Sequence, residues 1–423
     1  MVMANTDNAG PRLPWAGKRV SMERAEEELS FLWRLAADNV RTGQNINVRT
    51  SVLNFVICAS DLESAHRAST LIRDLSSTHI ARVILLILDE DSGAPASVST
   101  WVTLRSFSII SDLMRHHFEQ ITTIVTGSAV RSAAQIVQPL LKPELPAYIW
   151  WLDDPPHDET LFRNLTQLSS RVIVDSNSFL KPEEGVGTLA SLLQSLPDTA
   201  FSDLNWGRIT PWRQLVAQFF DVADYRPYLA GVDSIEVEHA VAPFAVPTRT
   251  EEGDVSPNST RALLLAGWLK TSLGWQYSTS NANAEHDPAT GTHYWQLTRA
   301  RTTTGPLSSR PAGTGRTGKL SMPASGSISV RPRVQSDMRP GSLCLVRLTS
   351  MVDNKRATFT IGREDDPDHV LTSVELEQGV RPQRTVSIAA TYDASELIHD
   401  ELEIVGHDHL YEQTLQEVST LLM

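Results

Sequence analysis

Apolar positions along this chain change their period twice, and each change marks a boundary. From Met22 the spacing of Ala25, Leu29, Leu32, Trp33 and Ala36 predicts a helix. Short apolar runs over residues 52–58, 83–88, 121–125, 148–152 and 172–174 then predict strands, with a further one over 101–110. Val83-Ile-Leu-Leu-Ile-Leu88 is apolar throughout, the pattern of a parallel strand covered on both faces. Between the runs, Ser60 and Glu63 have the spacing of a capping box and predict a helix to about Ser76. Another helix is predicted over 129–141, and Asp154 before Pro155 predicts the cap and first residue of a third. This alternation predicts an open, Rossmann-like α/β domain.

Beyond it, Thr210 and Pro211 predict the start of a helix. Trp212, Leu215, Val216, Phe219 and Phe220 there fall at i, i+3, i+4, i+7 and i+8, one stripe of the kind that faces a core. After the polar stretch 248–260 the texture changes. A helix over 261–273 precedes β-prone runs at 293–297, 327–330, 343–348, 357–361 and 385–389. Asp393 and Glu396 predict the cap of one closing helix, and Leu410, Leu415, Val418, Leu421 and Leu422 an apolar face on the last. The expected organisation is a flexible leader over 1–20, an α/β domain over 21–250, and an α+β, largely antiparallel C-terminal domain over 251–423. Mobile linkers are expected near 278–292 and 302–326, which are rich in Ser, Thr, Gly, Ala and Pro.

At 423 residues the chain accommodates domains with cores of their own. A net charge of −13 argues against general nucleic-acid binding, which requires an excess of Lys and Arg. That charge is polarised, with nine Lys/Arg against one acid over 299–347 and three Arg against fourteen acids over 361–423. Cys58 and Cys344, the two cysteines present, sit within apolar strands and read as small core residues. The N-terminus lacks the basic and apolar regions of a secretory signal, and no apolar run approaches the ~20 residues of a membrane span. A cytoplasmic location with no membrane association is therefore expected.

Catalytic signals are thin. Gly313-Thr-Gly-Arg-Thr-Gly318-Lys319 has phosphate-loop spacing, but Leu320 follows where a hydroxyl should bind magnesium, and no apolar strand precedes it. The turn Cys58-Ala59-Ser60-Asp61 lacks the glycines of a dinucleotide fingerprint. Asp89, Asp153, Asp154 and Asp175 fall at carboxyl ends of predicted strands, where an acidic crevice could hold magnesium; capping and turn roles account for them more simply. His116 with His117, and His407 with His409, are spaced to point to different helix faces and read as surface histidines. No cofactor and no metal are expected. Residues 203–221 stand apart: they hold two Trp, two Phe and two Arg, and no Ser, Cys or His. Trp and Arg are the anchors that protein interfaces favour. Trp206, Arg208, Trp212 and Arg213 are the candidate partner-binding residues, as the interface or as the scaffold beneath it. Trp206 is placed in a glycine-containing loop ahead of Thr210.

Three motifs, in this order, carry a resemblance. They are Tyr148-Ile-Trp-Trp-Leu-Asp-Asp-Pro-Pro156, then Asp203-Leu-Asn-Trp-Gly-Arg-Ile-Thr-Pro-Trp-Arg213 continuing through Gln218-Phe-Phe-Asp221, and Leu263-Leu-Leu-Ala-Gly-Trp-Leu269 with Leu273-Gly-Trp275. From about Met22 onward the chain resembles the glucose-6-phosphate dehydrogenase assembly protein family, OpcA, of cyanobacteria and actinobacteria. The resemblance implies a non-catalytic protein that binds the oligomeric dehydrogenase and promotes its assembly and activation. It thereby implies support for NADPH production in the oxidative pentose phosphate pathway, tied in photosynthetic members to thioredoxin control. The stretch 302–326 departs from the family core, and two cysteines in strands leave little room for a disulfide switch in this chain. On this reading, exchange of Trp206 and Arg208 for alanine should weaken enzyme activation without unfolding the protein. The alternatives are a metal-dependent enzyme acting on a sugar phosphate or nucleotide through Asp153, Asp154 and Asp175, and anion or nucleic-acid binding through the basic stretch 299–347.

Overall fold

A computed structural model describes residues 13, 15–40, 46–48, 51–75, 81–90, 93–108, 114–155, 159–242, 258–277, 284–287, 290–299, 325–363, 366–377, 382–389, 392, 394–404 and 406–422. The α-helices are α1 (Ala25–Val40), α2 (Leu62–Leu75), α3 (Ala133–Val137), α4 (Glu159–Thr166), α5 (Pro182–Ser195) and α6 (Leu204–Arg208). They continue with α7 (Thr210–Asp221), α8 (Arg226–Ala230), α9 (Thr260–Ser272), α10 (Ala394–Glu403) and α11 (His409–Leu422). Two compact units divide the chain. The first takes residues 1–178, 192–203 and 393–407, the second 179–191, 204–392 and 408–423.

The first unit is built on β1 (Lys18–Val20), β2 (Ile46–Val48), β3 (Leu53–Ala59), β4 (Ala81–Asp89), β5 (Ser97–Ser108), β6 (Met114–Thr126), β7 (Ala147–Trp151), β8 (Arg171–Val174) and β9 (Ala200–Asp203). The strand order is β1-β5-β6-β4-β3-β7-β8-β9, with β2 on β6. Every pair from β6 to β9 is parallel, while β1 and β5 form an antiparallel edge. The central strands are buried on both faces, as the unbroken apolar run of β4 requires. This is the open, Rossmann-like α/β arrangement that the alternation of elements predicts.

Local predictions fail where a proline or a side-chain bond intervenes. The helix expected over 129–141 is a 3-10 turn (Gly127–Ser132), then α3, then a second 3-10 turn (Gln138–Leu140), because Pro139 cannot continue an α-helix. Helix α2 is capped by Asp61, not by a Ser60–Glu63 box: Ser64 N–H donates to Asp61 Oδ1 at 2.7 Å. Pro155 is not itself helical, residues 156–158 lie outside the described residues, and the Asp154 carbonyl accepts Trp151 Nε1 at 3.0 Å. The series also runs past 172–174, through α5 to β9.

A second sheet, in the second unit, takes β10 (Val232–Val241), β11 (Trp275–Tyr277), β12 (Ala284–Asp287), β13 (Thr292–Arg299), β14 (Ser325–Val334), β15 (Leu343–Val352), β16 (Lys355–Gly362), β17 (His369–Leu376) and β18 (Gln383–Ser387). Its order is β11-β13-β14-β10-β15-β16-β17-β18, with β12 on β13. All pairs are antiparallel except β10 with β14. The boundary expected near residue 250 is displaced, because β10 is a central strand of this second sheet and carries 204–242 with it. Alternate residues are buried: Trp295, Ile328, Val237, Val346, Leu348 and Phe359 lie on the covered face. Asp353 and Asn354, with φ of 49° and 61°, make the two-residue turn from β15 to β16.

Helices α9 and α11 pack closely within this unit. Gly267 of α9 allows it, since a Cβ there would lie 2.7 Å from Val418 Cγ2 and 3.2 Å from the Thr414 carbonyl oxygen. Val418 is β-branched and fully buried, so it has little freedom to yield. Gly267→Ala is expected to destabilise the protein by about 1–3 kcal/mol despite alanine's better helix propensity. A urea midpoint unchanged or raised by the substitution would contradict this close approach. The predicted apolar face of α11 is buried at Leu415, Val418 and Leu421, whereas Leu410 is exposed. The phosphate-loop-like run 313–319, Asp393, and most of the two expected linkers lie outside the described residues.

Candidate partner-binding site

Residues 204–221 form two consecutive helices. Ile209, helical itself, donates to the Asn205 carbonyl and accepts from Arg213 N–H, so α6 runs almost without interruption into α7. The expected loop around Trp206 is therefore helix. Thr210 does not cap α7 through its side chain; its hydroxyl donates back to the Trp206 carbonyl at 3.3 Å. The stripe of Trp212, Leu215, Val216, Phe219 and Phe220 is buried, as its spacing predicts. Phe219 and Phe220 both meet the Phe359 ring, with centroids 5.4 and 5.0 Å apart.

The candidate anchors turn inward. Trp206 is 5 % exposed, Arg208 8 % and Trp212 2 %. Trp206 Nε1 donates to Asp408 Oδ2 at 2.8 Å, and the other Asp408 oxygen accepts Leu410 and Tyr411 N–H at 3.1 and 3.0 Å. Asp408 thus caps α11 and holds α6 to it at once. One Trp206 face carries the Arg213 guanidinium, 3.6 Å from the ring centroid, and Tyr411 lies 5.8 Å away. Arg213 is half-buried and donates to Thr210 Oγ1 at 2.8 Å, while its Nε is buried without a hydrogen bond. Burial lowers its pKa to about 10 against the opposing attraction of Asp408, so it stays charged at neutral pH.

Arg208 donates to Asn205 Oδ1 at 2.9 Å, and Arg261 Nε donates to the same oxygen at 2.9 Å. Asn205 is fully buried, so this amide ties α6 to α9. Arg363 lies 5.6 Å from the Trp212 ring and donates to the Ile388 carbonyl at 3.0 Å. All four candidate residues are therefore drawn into internal contacts. The outward side of α7 consists of Gln214, Ala217, Gln218 and Asp221, exposed at i, i+3, i+4 and i+7. Helical spacing in the sequence already sets Gln214 and Gln218 opposite the apolar stripe, whereas Asn205 and Tyr411 carry no such signal. Asp408 carries a readable signal, an acid directly ahead of an apolar helix, but its bond to Trp206 spans 202 positions.

The catalytic alternatives find different uses for their residues. Asp153 Oδ2 accepts Ser60 N–H at 2.7 Å, placing a carboxylate at the β3–α2 turn where a dinucleotide fold presents amides to phosphate. Asp175 accepts Asn177 N–H at 3.1 Å, as a turn residue does. Among the described residues no group of three or more His, Cys, Asp or Glu is placed to hold a metal ion. Both thiols are buried and free; burial raises the Cys58 pKa, and raises that of Cys344 to about 12. No helix is long and apolar enough to cross a membrane among the described residues.

Comparison with known proteins places these features. Residues 72–191 match the model of a glucose-6-phosphate dehydrogenase subunit N-terminal domain, and residues 199–415 that of its C-terminal domain. A protein of Synechocystis sp. named for the OxPP cycle, OpcA, is 29 % identical over 217 residues, 51 % of this chain and 41 % of its own length. Its namesake in Nostoc punctiforme is 30 % identical over 197 residues, 46 % of this chain and 38 % of its own. The chain thus spans about two-fifths of the length of the curated relatives it matches. A solved NAD binding oxidoreductase from Klebsiella pneumoniae aligns with a TM-score of 0.44 at 11 % identity, covering 88 % of this chain and 95 % of that one. The two domain models together cover most of the sequence, and the Trp206–Asp221 motif falls inside the second: the chain belongs to the OpcA family of glucose-6-phosphate dehydrogenase assembly proteins.

Proposed function

We propose that this chain is a non-catalytic partner of oligomeric glucose-6-phosphate dehydrogenase, docking through the surface built on α6 and α7. The observation that carries this reading is the division of residues 204–221. Trp206, Arg208, Trp212 and Arg213 lock the two helices to α9, α11 and the second sheet. A rigid outward strip of Gln214, Ala217, Gln218 and Asp221 results. It carries amide and carboxylate hydrogen-bonding groups and a small residue that permits close approach, but no thiol, imidazole or hydroxyl nucleophile. Rigidity of this kind lowers the entropic cost of association. Activation then follows if the strip binds the active oligomer of the dehydrogenase more tightly than its inactive form, since only differential affinity shifts such a balance. NADPH production in the oxidative pentose phosphate pathway would rise accordingly, in the cytoplasm, without membrane or nucleic acid.

The strip separates binding from folding. Gln218→Arg introduces charge and bulk at an exposed position and should leave thermal stability unchanged. It is expected to weaken capture of the cognate dehydrogenase about tenfold, roughly 1.4 kcal/mol. Surface-immobilised dehydrogenase with soluble wild-type and variant chains reads this directly. Equal affinities would remove the strip from the interface, and no binding by either chain would remove the partner.

A further inference from the structure

The second sheet has an open face with a composition and size that call for a cover. Register aligns Gln296, Ser327, Ser234, Thr349, Thr358 and Glu375 in one row across six strands, all on the side opposite the apolar core. A solvated sheet face ordinarily carries long charged side chains, whereas the middle of this row is four short hydroxyl residues. The adjacent row pairs Glu236 of β10 with Arg347 of β15 at 2.6 Å, and Glu236 also meets Arg331 of β14. Glu238 is held by Arg331 and Arg333 at 2.9 and 3.5 Å. The two carboxylates are only 16 % and 13 % exposed, while the arginines above them remain 41–45 % exposed. Charges already paired within the plane can be covered without leaving one uncompensated, which is the costly case.

We infer that this open sheet face pairs with the same face of a second copy of the chain. The charge pattern is self-complementary. A two-fold axis lying between the copies, along the β10–β15 seam, sets β10 of one over β15 of the other. Glu236 then faces the second copy's arginine at 347, and Arg347 the second copy's glutamate at 236, the reciprocity that an isologous contact requires. The same axis lays β14 over β16, so Arg331, level in register with Gly362, meets a position without a side chain, with the Thr360 hydroxyl two residues along the strand. Six strands at ~4.8 Å spacing and about seven residues at ~3.3 Å each give a face of roughly 650 Å². Two such faces bury about 1,300 Å², within the size range of stable, specific association. This inference is independent of the dehydrogenase reading, which could fail without affecting it.

Sedimentation equilibrium of the full chain at micromolar concentration tests it. The expected result is twice the monomer mass for the wild type. Thr349→Lys and Thr358→Lys each place an ammonium group in the middle of the covered face, where it would be desolvated unpaired. Each is expected to weaken the dimer at least about tenfold while leaving far-ultraviolet circular dichroism unchanged. A monomeric wild type overturns the inference, and so does a dimer that both folded variants leave intact. The wild-type mass decides by itself should either variant fail to fold.

Discussion

Trp206→Ala is expected to lower the stability of the protein by roughly 3–5 kcal/mol, as removal of a large buried aromatic does. Three losses coincide: the ring packed between Arg213 and Tyr411, the bond from Nε1 to Asp408, and the surface over which the Arg213 guanidinium lies. Asp408 also caps α11, so the damage should reach that helix. Calorimetry should show a fall in Tm of about 10 °C. Trp206→Phe keeps a six-membered ring but loses the pyrrole part with its donor to Asp408, so about 1–3 kcal/mol is expected. A Trp206→Ala variant melting with the wild type would mean that this knot carries no stability. Burial also overturns the expectation that alanine at Trp206 and Arg208 spares folding. Loss of partner activation in that double variant would report a collapsed scaffold, and the exposed strip of α7 is the better probe.

Glu119→Ala should be comparably severe, in the first unit. Glu119 is 1 % exposed and meets Arg82 at 2.7 Å, Lys142 at 3.4 Å and Trp33 Nε1 at 2.6 Å. Arg82 is itself buried, and without Glu119 it keeps Glu26, which is half-exposed, and the Leu140 carbonyl. Breaking a buried pair on one side costs about 3–5 kcal/mol, because the surviving charge is left in a poor environment. The pH dependence has a definite sign. Burial alone would raise the Glu119 pKa, but Arg82, Lys142 and the hydrogen bonds outweigh it, and the folded value lies below the ordinary 4.5. The resulting stability is complete above 4.5 and is lost as pH falls through the folded value. Urea midpoints at successive pH values should show this acid loss in the wild type and much less of it in Glu119→Gln. Parallel acid profiles for the two proteins would contradict the assignment.

Much of the architecture was legible because burial on two faces leaves a plain mark. The apolar run at 83–88 marks β4, and the stripe from Trp212 to Phe220 marks the inner face of α7. Strands with one polar face were harder to read. Val232–Val241, with Asp233, Ser234, Glu236 and Glu238 alternating among apolar positions, is central to the second sheet yet looks from its composition like a surface segment. Missing it displaced the boundary between the units. At the candidate site, residue types drew attention to a segment whose tryptophans and arginines make internal contacts. Trp and Arg mark anchors in interfaces, but they mark buried knots equally well, and the choice depended on Asp408, Asn205, Arg261 and Arg363, which lie far away in sequence. The outward strip is legible at Gln214 and Gln218, which helical spacing sets opposite the apolar stripe.

The proposed role is to act on glucose-6-phosphate dehydrogenase without turning over substrate. The most direct test titrates the purified chain into the cognate dehydrogenase at fixed glucose 6-phosphate and NADP, following NADPH formation. The predicted result is no NADPH from the chain alone and a saturable rise in the dehydrogenase rate as it is added, shifted to higher concentration by Gln218→Arg. A rate that stays flat across the titration, or NADPH formed by the chain without the enzyme, would contradict it.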